Sequence, residues 1–396
     1  MIKAVSIYTQ EIDDMDLACS QLKTQMGEKI TLLKSTVGIV QCNPEFIESG
    51  ILDTLYRELN IPLAGGTTVA SATNDAVGSL MLSILVLTSD DVEFVVSYTH
   101  GFEDDCMGSV KKSFDETLAK PRRLGEAPLK MVLVFPPIID AIAGDTYIDA
   151  IENVCGKTPV FGTLSVDDSL HLFERSASVY NDVILKREMA YVLVFGNVNP
   201  RFAVATVPRL SNLDESNAVI TKASGNIAYE INNKPSIDYF EKVGFASEGK
   251  FKDGSVLIPL LVTPPDGQDQ VPFVRALINN TNPDGSIMVR GNIPEGASIN
   301  FGSTSRDDVL SSTLNTVTGI KHEKDGSAAL LFTCIVRQLV IGADSLRELN
   351  QMKDTLGPDI PFIASYAGGE ISPTSVNDEK RAQNRFHNYS FIVCLL

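Results

Sequence analysis

No two of the six cysteines, Cys19, Cys42, Cys106, Cys155, Cys334 and Cys394, stand in a Cys-x-x-Cys spacing. That excludes a zinc knuckle and the dense disulfide framework of a small secreted domain. Read as reduced thiols, they place the chain in the cytoplasm. The four histidines, His100, His171, His322 and His387, also lack zinc-ligand spacing, so no metal is expected. Basic charge is scarce: 33 Lys and Arg against 50 Asp and Glu give a formal charge of −17. With no basic run to offset it, this disfavours nucleic acid and anionic membranes as partners. Apolar runs such as "LMLSILVL" stop well short of a bilayer span, and the opening "MIKAVSIYTQEIDD" is no leader. Neither secretion nor anchoring is expected, so the sequons at Asn279 and Asn388 are read as plain sequence. There is no GxGxxG and no GKS or GKT loop, and no cofactor is expected.

What is present describes a folded protein: 396 residues, 44% hydrophobic and 21% charged. β-type runs occur at "IKAVSIY", "SLMLSILVL", "VEFVVSY", "KMVLVF", "AYVLVF", "FAVATV", "AALLFTC" and "SFIVCLL". Between them, Ala18, Leu22 and Met26 share a helical face that Gly27 is expected to end. Asn43 and Pro44 open a second helix carrying Phe46, Ile47, Ile51, Leu55 and Leu59. Ser345 and Glu348 read as a capping box ahead of Leu349, Met352 and Leu356, stopped by Gly357 and Pro358.

One pattern recurs three times: a helix, a break with proline, two or three apolar residues, then small residues. The copies are "GILDTLYRELNIPLAGGTT", "TYIDAIENVCGKTPVFGTLS" and "DSLRELNQMKDTLGPDIPFIASYAGGE". They point to a strand–helix–strand unit used more than once. "NVNPR" breaks the chain near its middle, giving expected domains 1–198 and 199–396. In the second, a hairpin turns at Gly225, a short helix runs from Pro235 to Gly244, and Pro/Gly/Asp turns separate further strands. The fold class expected is α/β with mixed parallel and antiparallel sheets.

Candidate chemistry falls in two places. "LAGGTT" and "FGTLSVDD" put Gly65, Gly66, Thr67, Thr68 and Gly162 in turns after apolar strands, where bare N–H groups can receive an anion or polar ligand. Asp167 and Asp168 follow directly, a weak magnesium candidate. In the second half, Cys334 precedes Arg337 by three residues, and His387 lies near another such segment. Cys334 and His387 can be read as a nucleophile and base for acyl transfer, or as a core thiol and a histidine held by backbone. A ligand clamp needs less: Arg337 for a carboxylate, Glu370 for an amine and Asn388 for either, which suits a zwitterion.

"LLFTCIVR", "IPFIASYAGGEISP" and "FHNYSFIVCLL", in that order, resemble the signature of the FIST proteins. The matching positions are Cys334 and Arg337, then Gly368, Gly369 and Glu370, then His387 and Asn388. "IPLAGGTTVA", "KMVLVFP" and "TPVFGTLSVDD" are similar to the family's amino-terminal domain. There Gly66 stands where a cysteine is often found, and Thr163 and Val166 where glycines are expected. The resemblance implies a sensory module for small molecules, amino acids being the favoured class. Because "SFIVCLL" reads as a core strand, no output domain is expected after it, so a signal would pass through a partner protein. An enzyme using Cys334 and His387, and a scaffolding protein, are the alternatives.

Overall fold

The computed structural model describes residues 1–396 except 140, 141, 170, 172, 211–217, 266–270, 322–325 and 377–380. The chain has an α/β fold with parallel and antiparallel strand pairs. Its eight β-type runs all form strands, and the element order repeats three times. The first copy runs strand Ile2–Thr9, helix Met15–Lys29, strand Ser35–Cys42, helices Pro44–Glu48 and Ile51–Leu59, strand Leu63–Thr67, a hairpin over 71–78, and strand Leu82–Ser89. The second copy runs Val92–Tyr98, helix Cys106–Leu118, Leu129–Phe135, helix Gly144–Cys155, Val160–Thr163, a hairpin over 178–185, and Ala190–Gly196. The third begins with Arg201–Ala205 and resumes at helix Arg306–Lys321. It continues through Ala329–Cys334, helices Ile335–Ile341 and Arg347–Leu356, Phe362–Ala367, a hairpin of Glu370–Val376 and Arg381–His387, and Phe391–Leu395.

Backbone geometry fixes the equivalence of the copies. In each, the amide of the earlier parallel strand donates to a proline carbonyl: Gly38 to Pro62 at 2.8 Å, Val132 to Pro159 at 2.8 Å and Ala329 to Pro361 at 2.9 Å. Each copy builds a sheet, but its hairpin leaves to complete another. Hairpin 71–78 joins the third sheet, 178–185 the first, and 370–387 the second. Residue 198, where the sequence suggests a domain boundary, lies between the second and third copies, and sheets take strands from both sides of it.

Alternation along the strands sends one face of each copy's sheet to a shared centre. There the equivalent Ile39, Leu133 and Leu330 meet Ala64, Phe161 and Ile363, with Phe161 and Phe332 stacked at 5.5 Å. The opposite faces are covered by each copy's helices. Between Ala205 and Arg306 the third copy carries a separate antiparallel sheet. Its strand Ala218–Ser224 pairs with both Ser298–Phe301 and Ile227–Ile231, so the sheet closes into a small barrel with its own core. The Gly225 turn and the helix Ser236–Lys242 sit where the sequence places them.

Three local expectations are corrected. Gly27 does not end the first helix, which runs to Lys29 because Ala18, Leu22 and Met26 continue to bury its inner face. Gly50, with φ of 80°, splits the second helix in two. Ser345 and Glu348 form no capping box: the helix opens at Arg347 without a side-chain cap, and the Glu348 carboxylate turns inward.

Candidate functional site

The site residues of the second half gather where Ala329–Cys334 ends and helix Ile335–Ile341 begins. The Cys334 amide donates to the Ser390 carbonyl at 3.0 Å, tying that end to the entry of the last strand. One turn on, Arg337 is fully buried. Its Nε and Nη2 donate to Glu348 Oε1 at 3.0 and 2.8 Å, and Nη2 also reaches Thr313 Oγ1 at 2.7 Å and the Val309 carbonyl at 2.9 Å. Thr313 and Thr333 donate to the two Glu348 oxygens at 2.5 and 3.0 Å. A buried guanidinium is tolerable only with this degree of pairing. Its Nη1 has no hydrogen-bond partner.

Glu370 comes from the exchanged hairpin and is also fully buried. Its Oε2 accepts from Ser390 Oγ at 2.6 Å, while Oε1 has no nitrogen or oxygen donor. Burial pushes its carboxyl well above the usual range; Ser390, the Arg337 charge and the Cys334 thiol pull the other way without offsetting burial. Burial thus favours the protonated form of Glu370. Burial pushes the Cys334 thiol up, and the Glu370 carboxyl adds to this where it is ionised. Tyr389 is wholly buried with a partnerless hydroxyl; burial pushes its phenol up, with Arg337 opposing and Cys334 adding to that shift. Arg337, Glu370, Cys334 and Tyr389 thus form one enclosed polar cluster.

His387 pairs across the hairpin with Glu370 on the backbone, but its ring makes a separate contact. Nε2 lies 3.2 Å from the Ser372 carbonyl, which makes that nitrogen the protonated one. Burial lowers its pKa to about 3. A neutral imidazole and a thiol pushed upward are the reverse of an activated thiolate–imidazolium pair. Asn388 bridges elements: Oδ1 accepts from the Ala276 amide of the barrel at 3.4 Å and Nδ2 donates to the His387 carbonyl at 3.1 Å. At Gly369, φ is 145° and a Cβ would lie 2.4 Å from the Phe386 ring; at Gly368 it would lie 2.4 Å from Ile138.

In the first half, Gly65, Gly66 and Thr67 do not form an open turn but lie in the buried strand Leu63–Thr67. A Cβ on Gly65 would sit 1.9 Å from the Val40 carbonyl oxygen, and one on the equivalent Gly162 1.9 Å from that of Val134. These glycines serve the close approach of parallel strands. Thr67 Oγ1 accepts from the Ala177 amide at 3.0 Å, and Thr68 Oγ1 donates to the Tyr366 carbonyl at 2.8 Å. Asp167 is buried and accepts from the amides of Ser169 and Arg175; Asp168 meets the Arg175 guanidinium at 3.3 Å. Among the described residues no cluster of His, Cys, Asp and Glu could hold a metal ion. His322 and the Asn279 side chain lie outside the described residues. Sequence reasoning missed Tyr389 and Ser390, inside "HNYS", and read Glu348 as a cap; only the pairing of a buried Arg337 exposes that carboxylate's role.

The chain belongs to the FIST family. The FIST N domain matches residues 36–234 and the FIST C domain residues 238–373. FIST domains are sensory domains that bind small ligands. No curated protein matches. Among solved structures, a cyanuric acid hydrolase from A. caulinodans is similar at 11% identity and a TM-score of 0.25, over 50% of this chain and 72% of that one. Among the described residues, no helix is long and apolar enough to cross a membrane.

Proposed function

We infer that the protein is a cytoplasmic sensor that takes an amino acid or related zwitterion at the Arg337–Glu370 cluster and signals through a partner protein. One observation carries this reading: Arg337, Glu370 and Tyr389, from three separate segments, each bury a polar atom without a nitrogen or oxygen partner. Each such atom costs about 1–3 kcal/mol, a cost that a bound molecule with complementary donors and acceptors removes. The Arg337 Nη1 can donate to a carboxylate, and Glu370 can accept from an amine once it gives up its proton. Taking an ammonium group therefore releases that proton, and affinity rises with pH.

Calorimetry and thermal shift across the amino acids test the reading. At least one should raise the melting temperature, and E370Q should abolish that effect while keeping the fold. A protein that binds none of them between pH 6 and 9 refutes it. Against covalent chemistry at Cys334 stands a thiol whose ionisation burial opposes.

A further inference from the structure

The hairpin that the second copy gives to the first sheet also ends that sheet, and its outer strand, Val183–Leu185, pairs on one side. Among the described residues no strand lies against the other side. Which backbone groups face outward follows from the inner strand, Ser178–Tyr180. The Thr67 amide donates to the Ala177 carbonyl at 3.0 Å and the Asn181 amide to the Leu63 carbonyl at 2.9 Å. Residues 177, 179 and 181 therefore turn their backbone toward Leu63–Thr67. Ser178 and Tyr180 turn the other way and serve Leu185 and Val183, their partners across the hairpin. The N–H and C=O of Ile184 are left facing out of the sheet, a template for one more strand.

The side chains at this edge are open as well. Val183 and Ile184 are 40% and 39% exposed, the one adjacent pair among the exposed large hydrophobics of the described residues. Asp182 and Lys186, two residues to either side of Ile184, are exposed too. Glu48 feels the Lys186 charge, but its carboxylate is hydrogen-bonded to Arg175 instead.

This edge is complementary to itself. A second copy laid antiparallel about a twofold axis through Ile184 sets outward-facing groups against outward-facing groups, so the two Ile184 residues exchange both backbone hydrogen bonds. In that register Val183 lies opposite Leu185 and Asp182 opposite Lys186, each twice over, so that every charge meets its opposite. We propose that two copies of the chain join antiparallel along Val183–Leu185, making one continuous sheet across the axis. Three residues a side bury little area, so the dimer is weak and depends on concentration.

Sedimentation velocity on the full chain tests this. Between about 2 and about 200 µM the mass should rise from 42.9 kDa toward twice that value. K186D sets Asp182 against a second acid and should weaken the dimer about tenfold or more. D182K/K186D restores opposite charges without altering the net charge and should return the affinity to within about threefold of wild type. I184P removes an N–H that the hairpin does not use, which an edge strand tolerates, so it should keep the wild-type circular dichroism and stay monomeric. If I184P does not fold, the two charge variants decide. A dimer that survives K186D or a folded I184P overturns the proposal, as does a charge swap that fails to restore it. So does a wild type that stays monomeric throughout, which would leave the edge to a strand of another protein.

Discussion

Replacing His387 with glutamine should remove a specific pH dependence of stability. The ring is 2% exposed, and burial lowers its pKa from 6.5 to about 3, with the charges of Arg275 and Arg385 acting in the same direction. Below pH 6.5 the unfolded chain takes up a proton that the folded chain refuses, so stability falls as pH falls. The slope is about 1.4 kcal/mol per pH unit until the folded value is reached, and the whole window amounts to about 5 kcal/mol. Glu370 works oppositely: its folded carboxyl keeps a proton that the unfolded chain has released above 4.5, so its contribution falls as pH rises. The wild-type curve mixes the two, and only the difference between wild type and H387Q isolates the histidine. Glutamine can still donate to the Ser372 carbonyl. Urea unfolding followed by circular dichroism at pH 8 and pH 5 should show the wild-type advantage shrinking by about 2 kcal/mol. A difference that stays constant within about 0.5 kcal/mol would refute both the buried neutral ring and the reasoning from it.

In E370Q the sign reverses: relative to the variant, wild type should lose stability as pH rises above 4.5, measured by the same unfolding series. E348Q breaks a wholly buried ion pair and should cost about 3–5 kcal/mol, whereas R337M/E348L, which removes both charges, should recover most of it in thermal and urea unfolding. G27A should stabilise by about 1 kcal/mol, since Gly27 is helical with open space around it, while G65A should prevent folding or cost more than about 3 kcal/mol because its Cβ would strike the Val40 carbonyl. Cys334 should react with iodoacetamide at pH 7 far more slowly than a free peptide thiol; equal rates would contradict its buried, protonated state.

The repeated architecture was legible because its signals are local. Apolar runs mark the long strands, and Pro62, Pro159 and Pro361 mark the same backbone contact in each copy. The exchanged hairpins were not legible. "EISPTSV" alternates polar residues, contains proline, and becomes a strand only through its pairing with residues distant in sequence. Gly65 and Gly162 advertise freedom of turn, yet the constraint they meet is a neighbouring carbonyl that no local pattern reveals. Arg337 and Glu370 were recognisable as a pair of opposite charges in motif order. That Glu348 would neutralise Arg337 was hidden, since a glutamate three residues beyond a serine looks like a cap until the buried guanidinium is placed beside it.

The exchange of hairpins also sets an order for assembly during synthesis. The second sheet is finished by strands that end at His387, and the third sheet takes up a hairpin made at residues 71–78. The second sheet cannot be completed before residue 387 is made, nor the third before residue 395, so Val160–Thr163 must wait with an unpaired edge while more than two hundred further residues are added. The residue that closes this gap is Glu370, whose backbone pairs with Thr163. The last strand partner to arrive is thus the one that brings the buried carboxyl with it.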